Sequence, residues 1–160
     1  MNKTVVGLLG GIVGVGGGIA VSRKLFKGDN AGLEKKVDKF KMYYELLNTW
    51  LKIKQNGESV EKFFEDNNYK RIGIYGMGEL GNRLCTELSN SNIEIVYTVD
   101  KAPMTTFSEY DVVEIDEMTD DVDVVVVTPI FDFDNIKNKI EEYINVPVIS
   151  LEDIIFGLDN

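Results

Sequence analysis

The sequence predicts an α/β domain built on an open, twisted parallel sheet of strand order 3-2-1-4-5, preceded by an N-terminal transmembrane helix and a long amphipathic helix. Three observations carry the domain prediction. Ile72, Ile74 and Tyr75 form a short β-prone run that breaks at Gly76-Met77-Gly78-Glu79-Leu80-Gly81, after which Leu80, Leu84 and Leu88 recur every four residues as on one face of a helix. Strand and helix patterns then alternate: strand 71–76, helix 79–90, strand 93–99, short strand 111–115, strand 122–128, helix 134–144, strand 146–149 and a final helical turn 151–156. Val122, Val124, Val125, Val126 and Val127 make a β-branched run suited to a parallel strand covered on both faces. Right-handed crossovers arrange such strands as 3-2-1-4-5.

The glycine stretch satisfies G-x-G-x-x-G in the strand–turn–helix context that a dinucleotide fingerprint requires. In that reading Gly76 permits the tight turn, Gly78 lets the backbone approach a pyrophosphate, and Gly81 lets helix and strand pack closely. The helix start offers free N–H groups and a positive dipole end to an anion. The second strand, Ile93 to Val99, ends at Asp100, nineteen residues after Gly81, where an acid is expected to meet the ribose hydroxyls.

At 160 residues there is room for one domain and an appendage. The net charge of −10 is unevenly spread: residues 1–56 carry +6 and residues 57–160 carry −16. An acidic domain on a basic stem excludes nucleic acid as a partner, since phosphate neutralisation needs a clustered basic face. The single cysteine, Cys85, cannot form an internal disulfide and fits a reducing compartment. Histidine is absent, which removes the commonest metal ligand and general base, so no metal site is expected.

Residues 4–21 carry no charge, and eighteen helical residues rise about 27 Å, at the short end of what spans a bilayer core. Gly10, Gly14 and Gly18 give a small-xxx-small repeat, and Arg23, Lys24 and Lys27 follow. A single-pass anchor with a cytoplasmic C-terminal domain is the expectation. A cleaved signal peptide and a second phosphate loop are the competing readings; basic residues on the wrong side oppose the first, and the want of a charged amphipathic helix opposes the second. Residues 1–28 are thus assigned to the anchor, 29–67 to a helical stem and 68–160 to the nucleotide-binding domain.

Within the stem, Leu33, Val37, Phe40, Tyr44, Leu47 and Leu51 recur at spacings of four and three, a heptad seam on a helix of about 24 residues ended by Asn56-Gly57. Tyr43 and Trp50 widen its apolar stripe. The seam either packs on the chain's own domain or on the next helix, or it supports a homodimer. Ser59 is expected to cap a two-turn helix, Val60 to about Asp66, that buries Phe63 and Phe64. The stretch 101–110 lacks a helical period, so the helix between strands two and three is missing or rudimentary. Asp116, Glu117, Asp120, Asp121 and Asp123 read as a solvated loop, Cys85 as core, Asp132 and Asp134 as helix-capping residues, and Ser150 with Asp153 as a capping pair. Tyr97 and Lys101 have the spacing of a dehydrogenase pair but fall at a strand end.

Residues 70–156 resemble the compact Rossmann-type NAD(P)-binding modules of bacteria, and more closely the small versions that accompany enzymes of cell-surface polysaccharide and nucleotide-sugar metabolism. The residues that carry the likeness are Ile74–Arg83, the strand ending in Asp100, Val124–Thr128-Pro129 and Val148–Asp153. The resemblance implies a Rossmann-like fold in which Gly76, Met77, Gly78, Glu79, Leu80 and Gly81 face the pyrophosphate of NAD or a nucleotide sugar. It places Asp100 at the ribose and has Thr128 and Pro129 line the cleft. It further implies an accessory or regulatory role beside polysaccharide-biosynthesis enzymes, without catalytic residues of its own. The alternatives are a membrane scaffold on a degenerate version of the fold, and an NAD-dependent oxidoreductase or epimerase-like subunit completed by a partner.

Overall fold

The computed structural model describes residues 32–100, 110 and 112–159. The chain divides between Tyr44 and Glu45 into two units. The elements run in the order α1 (residues 32–55), α2 (Glu61–Asp66), β1 (Arg71–Tyr75), α3 (Glu79–Leu88), β2 (Glu94–Val99), β3 (Val112–Val113), β4 (Val124–Val127), α4 (Phe133–Ile140), β5 (Val148–Ser150) and α5 (Leu151–Leu158). Single 3₁₀ turns precede β4 at Ile115–Glu117 and α4 at Ile130–Asp132. The proposed membrane segment 4–21, Lys101 and most of the 101–110 connection lie outside the described residues. Among the described residues, no helix is long and apolar enough to cross a membrane.

The second unit is an α/β domain whose five strands are all parallel, in the order β3-β2-β1-β4-β5. β1 lies in the middle because it is buried along most of its length: Ile72 to Tyr75 are all covered, as are all four valines of β4. β-branched and aromatic side chains suit such a doubly covered position. Right-handed crossovers fix the layers. The chain moves from β1 to β2 in one direction and from β4 to β5 in the other, so α3 and α4 cover opposite faces. Tyr75, Val125 and Val127 point with Ile136, Ile140 and Ile144 into one core cluster. Ile72, Ile74, Val124 and Val126 alternate to the other face.

That second face is covered by α3 together with the end of α1, and Glu87 of α3 holds the two together. Its carboxylate accepts the Trp50 indole N–H (2.7 Å) and the Val60 backbone N–H (3.1 Å) and pairs with Lys54 (3.0 Å). Leu46, Trp50 and Ile53, at helical spacing, are buried on this side. The face of α1 that enters the core is therefore 46/50/53. In the second unit Leu47 is half-buried and Leu51 is 54% exposed. The helix stops at the predicted place, where Gly57 takes a left-handed φ of 78° and the Glu58 N–H closes back on the Ile53 carbonyl.

Two local expectations are revised. Ser59 does not cap α2; Val60 is the N-cap residue, makes no side-chain cap, and has its N–H taken by Glu87 from a distant helix. The acidic loop before β4 is only partly a solvated run. Asp123 accepts the N–H groups of Lys70 and Arg71 (2.6 and 2.8 Å), Asp121 forms a two-bond pair with the Arg71 guanidinium, and Asp120 accepts the Asn145 N–H. Asp121 and Asp123 tie the amino ends of β1 and β4 together, and Asp120 ties the same loop to the turn before β5.

Removing the Glu87 carboxylate should leave two donors without partners in a largely covered place. Glu87→Ala is expected to cost about 2–4 kcal/mol in urea unfolding followed by Trp50 fluorescence, with a red-shifted native emission. The backbone donors of Arg71 and Lys70 hold the Asp123 carboxyl below its usual value. A lowered folded value contributes stability above the ordinary carboxylate range and loses it as the pH falls through the lowered value. Asp123→Asn should therefore lower the urea midpoint at pH 7, and the gap from the parent should close as unfolding is repeated toward pH 3.

Candidate functional site

The glycine stretch lies at the carboxyl end of β1, where the neighbours of the central strand diverge: β2 to one side, β4 to the other. Ligands of open α/β sheets bind in the crevice at such a switch point. The loop leaves β1 at Gly76, whose φ of 95° is open to glycine at low cost. The Gly76 N–H donates to the Val99 carbonyl of β2 (2.7 Å), and the Thr128 hydroxyl donates to the Gly76 carbonyl (2.6 Å). A Cβ on Gly76 would stand 2.6 Å from the Pro129 ring, and one on Gly81 would fall on the Gly76 carbonyl oxygen. Gly76 and Gly81 are thus both required by the fold.

Gly78 is different. It is the N-cap residue of α3, its φ of −73° suits any residue, and a Cβ built on it would meet nothing within 4 Å. Neither backbone conformation nor packing asks for glycine there. Its own side is open and exposed, as is Glu79, while Met77, Leu80 and Gly81 are buried. No side chain caps the start of α3. Asn82 instead donates its amide to the Met77 and Gly78 carbonyls.

Asp100, at the end of β2, stands at the loop's mouth, half-buried, with Oδ2 accepting the Met77 N–H at 2.8 Å. Sequence spacing brings this carboxylate to the loop, and the loop's own backbone engages it. Thr128 is buried, its hydroxyl turned onto the Gly76 carbonyl, and Pro129 packs on Gly76, so both residues brace the loop from the β4 side. Tyr75 precedes the loop. Burial raises its phenol above the usual value, and the charges of Asp100 and Asp132 add to the effect. Arg83, one turn into α3, is held by Glu79 at 2.7 Å, an exposed pair that leaves little net positive charge at the helix start.

Other candidate groups sit elsewhere. Cys85 is buried, and burial pushes its thiol up to about 11, which withholds the thiolate. Tyr97 is buried in β2, pushed up to about 12 by burial, with its hydroxyl donated to the Thr119 carbonyl. Asp132 occupies the N-cap position of α4, but its carboxylate accepts the Asn135 amide and caps no backbone N–H. Ser150 caps α5 by accepting the Glu152 N–H. Among the described residues no group of three metal-ligating side chains converges. A cavity of about 290 Å³ opens at the carboxyl ends of β4 and β5, walled by Asp132, Asp134, Glu152 and Asp153. Its acidic lining disfavours anions. A hollow of about 540 Å³ runs between α1 and α3, lined by Leu47, Trp50, Leu51, Arg83, Thr86 and Asn90 among others.

Fold and site together define a parallel α/β domain with a pre-formed glycine loop at the carboxyl end of its central strand. The chain belongs to the family described as C2185-like, N-terminal, whose model matches residues 68–150, just over half of its length. No curated protein and no solved structure matches it.

The three glycines should separate on substitution. Gly76→Ala and Gly81→Ala are each expected to destabilise by about 2 kcal/mol or more, through left-handed backbone and collision with a fixed neighbour. Gly78→Ala should cost no more than about 1 kcal/mol, the loss of a good N-cap residue. Urea denaturation of the three variants checks the order.

Proposed function

We infer that the loop Gly76–Gly81 is the binding site for the phosphates of a dinucleotide such as NAD or of a nucleotide sugar. The reading is supported above all by Gly78, a glycine that the fold does not need and whose open side lies where a pyrophosphate must approach the backbone. The uncapped start of α3 supplies N–H groups to an anion there. Asp100 at the loop's mouth suits ribose hydroxyls and repels a 2′-phosphate. Thr128 and Pro129 hold the loop in a binding-ready form, so little ordering cost falls on the ligand.

By its resemblance to the modules that accompany polysaccharide and nucleotide-sugar enzymes, the chain would act as an accessory or regulatory subunit at the cytoplasmic side of the membrane, anchored by residues 4–21. The titratable groups near the loop suit recognition better than proton transfer: the Tyr75 phenol is raised away from neutrality and Cys85 is withheld by burial. A scaffold without ligand is the second reading. One observation favours it: the Met77 N–H, a donor that an incoming phosphate would use, is already taken by Asp100.

Calorimetry on the full chain in detergent tests the proposal with NAD, NADP and a uridine-diphosphate sugar. Binding of NAD at least about tenfold tighter than NADP is expected, on the scale of a like-charge contact held out of water. Asp100→Asn should erase that ratio while its amide oxygen still accepts the Met77 N–H. Gly78→Val should abolish binding with the fold intact by circular dichroism. Heat with none of the three ligands would leave the scaffold reading.

A further inference from the structure

The first unit contributes the opening turns of α1, and they present an apolar stripe to solvent. Leu33, Val37, Phe40 and Tyr44 are 60%, 58%, 81% and 66% exposed, with Tyr43 beside them at 38%. They follow the spacing four, three, four, so at 3.6 residues per turn they fall on one side of the helix. Single exposed apolar residues need no explanation, but five large ones within twelve residues form a contiguous patch. The same helical period sets Lys36 on one flank of the stripe and Lys41 on the other, with Lys35 and Lys39 farther round. Glu34 stands next to Lys41, and Asp38 lies well away from the stripe.

Two occupants fit a stripe of this spacing: a second copy of the helix, or a lipid surface. The flanking charges oppose a parallel second copy and suit the lipid surface. In a parallel pair of these helices Lys36 and Lys41 occupy the positions that face each other across the seam, so each interface edge would set lysine against lysine. On a bilayer the same two lysines reach the headgroup level while their stems cover the apolar margin. Phe40, Tyr43 and Tyr44 are residue types that settle at the boundary between headgroup and acyl chain. We propose that the first half of α1 lies in the plane of an anionic membrane surface, with Leu33, Val37, Phe40 and Tyr44 inserted at the interface and Lys36 and Lys41 on anionic headgroups.

The proposal does not depend on residues 4–21 spanning the bilayer, nor on a nucleotide at the glycine loop. The test uses the full chain with Phe40→Trp, the parent chain with its buried Trp50 supplying the baseline. On vesicles of phosphatidylcholine with phosphatidylglycerol, the Trp at position 40 should shift its emission to the blue and be quenched by lipids brominated near the headgroup. Adding Lys36→Glu and Lys41→Glu should raise the lipid concentration at half-effect by roughly tenfold or more. Vesicle pelleting, run in parallel, separates the stripe from the anchor. A chain that pellets but shows no shift or shallow quenching at position 40 is anchored without the stripe and overturns the proposal. A shift that grows with protein concentration and is indifferent to lipid means pairing with a second copy and overturns it equally.

Discussion

Gly76 is the point on which the rest of the domain depends. Its backbone turns left-handed at the end of β1, its N–H is held by β2 through Val99, and its carbonyl is held by Thr128 just past β4. The same carbonyl lies against Gly81, so the axis of α3 is set by contact with a single peptide unit. Three strand ends and one helix therefore converge on one residue. The convergence leaves no slack: a methyl group added at either glycine meets an atom that belongs to another strand or to the turn itself. The loop shape is consequently dictated by the sheet.

Around that fixed loop the electrostatics are divided. The helix start and its N–H groups attract an anion, whereas Asp100, Glu79 and the acidic cavity beyond β4 oppose one. Among the described residues the cation near the opening is Arg83, and it is engaged with Glu79. In the proposed site, attraction would come from oriented backbone dipoles at short range, which act strongly on a phosphate in contact and weakly on a distant one. A phosphate site of the proposed kind would select by shape and close approach rather than by long-range steering.

Much of the sheet could be read from the chain because its signals are local. A five-residue strand, a glycine turn and a four-residue leucine repeat define β1–α3, and the valines of β4 admit no other placement than a covered strand. Right-handed crossovers then leave one order. The misread features all depend on partners far along the chain. Ser59 has the chemistry of a cap, but α2 is entered at Val60 without a side-chain cap, and a carboxylate 27 positions on takes the Val60 N–H. The acids before β4 have the composition of a solvated loop, yet Asp123 and Asp121 close on Lys70 and Arg71, about fifty residues earlier. In α1 the heptad spacing marks 33–51, whereas the side that enters the core is Leu46, Trp50 and Ile53. At the candidate site, the fingerprint located the loop and Asp100, but spacing cannot show that the acid would bond the loop's own Met77 N–H.

Glu87 carries a consequence for where this domain can be said to begin. The family match opens at residue 68, after both Trp50 and Val60, yet the carboxylate that serves them lies inside the match. The match closes at residue 150, one residue before α5 supplies Leu151, Ile154 and Ile155 to the core. The stretch recognised by descent and the stretch that closes a core are thus different lengths of chain. A polypeptide cut to the former would expose a carboxylate shaped for an absent indole and a sheet face stripped of part of its cover. Heredity marks residues 68–150; folding asks for residues from 45 onward.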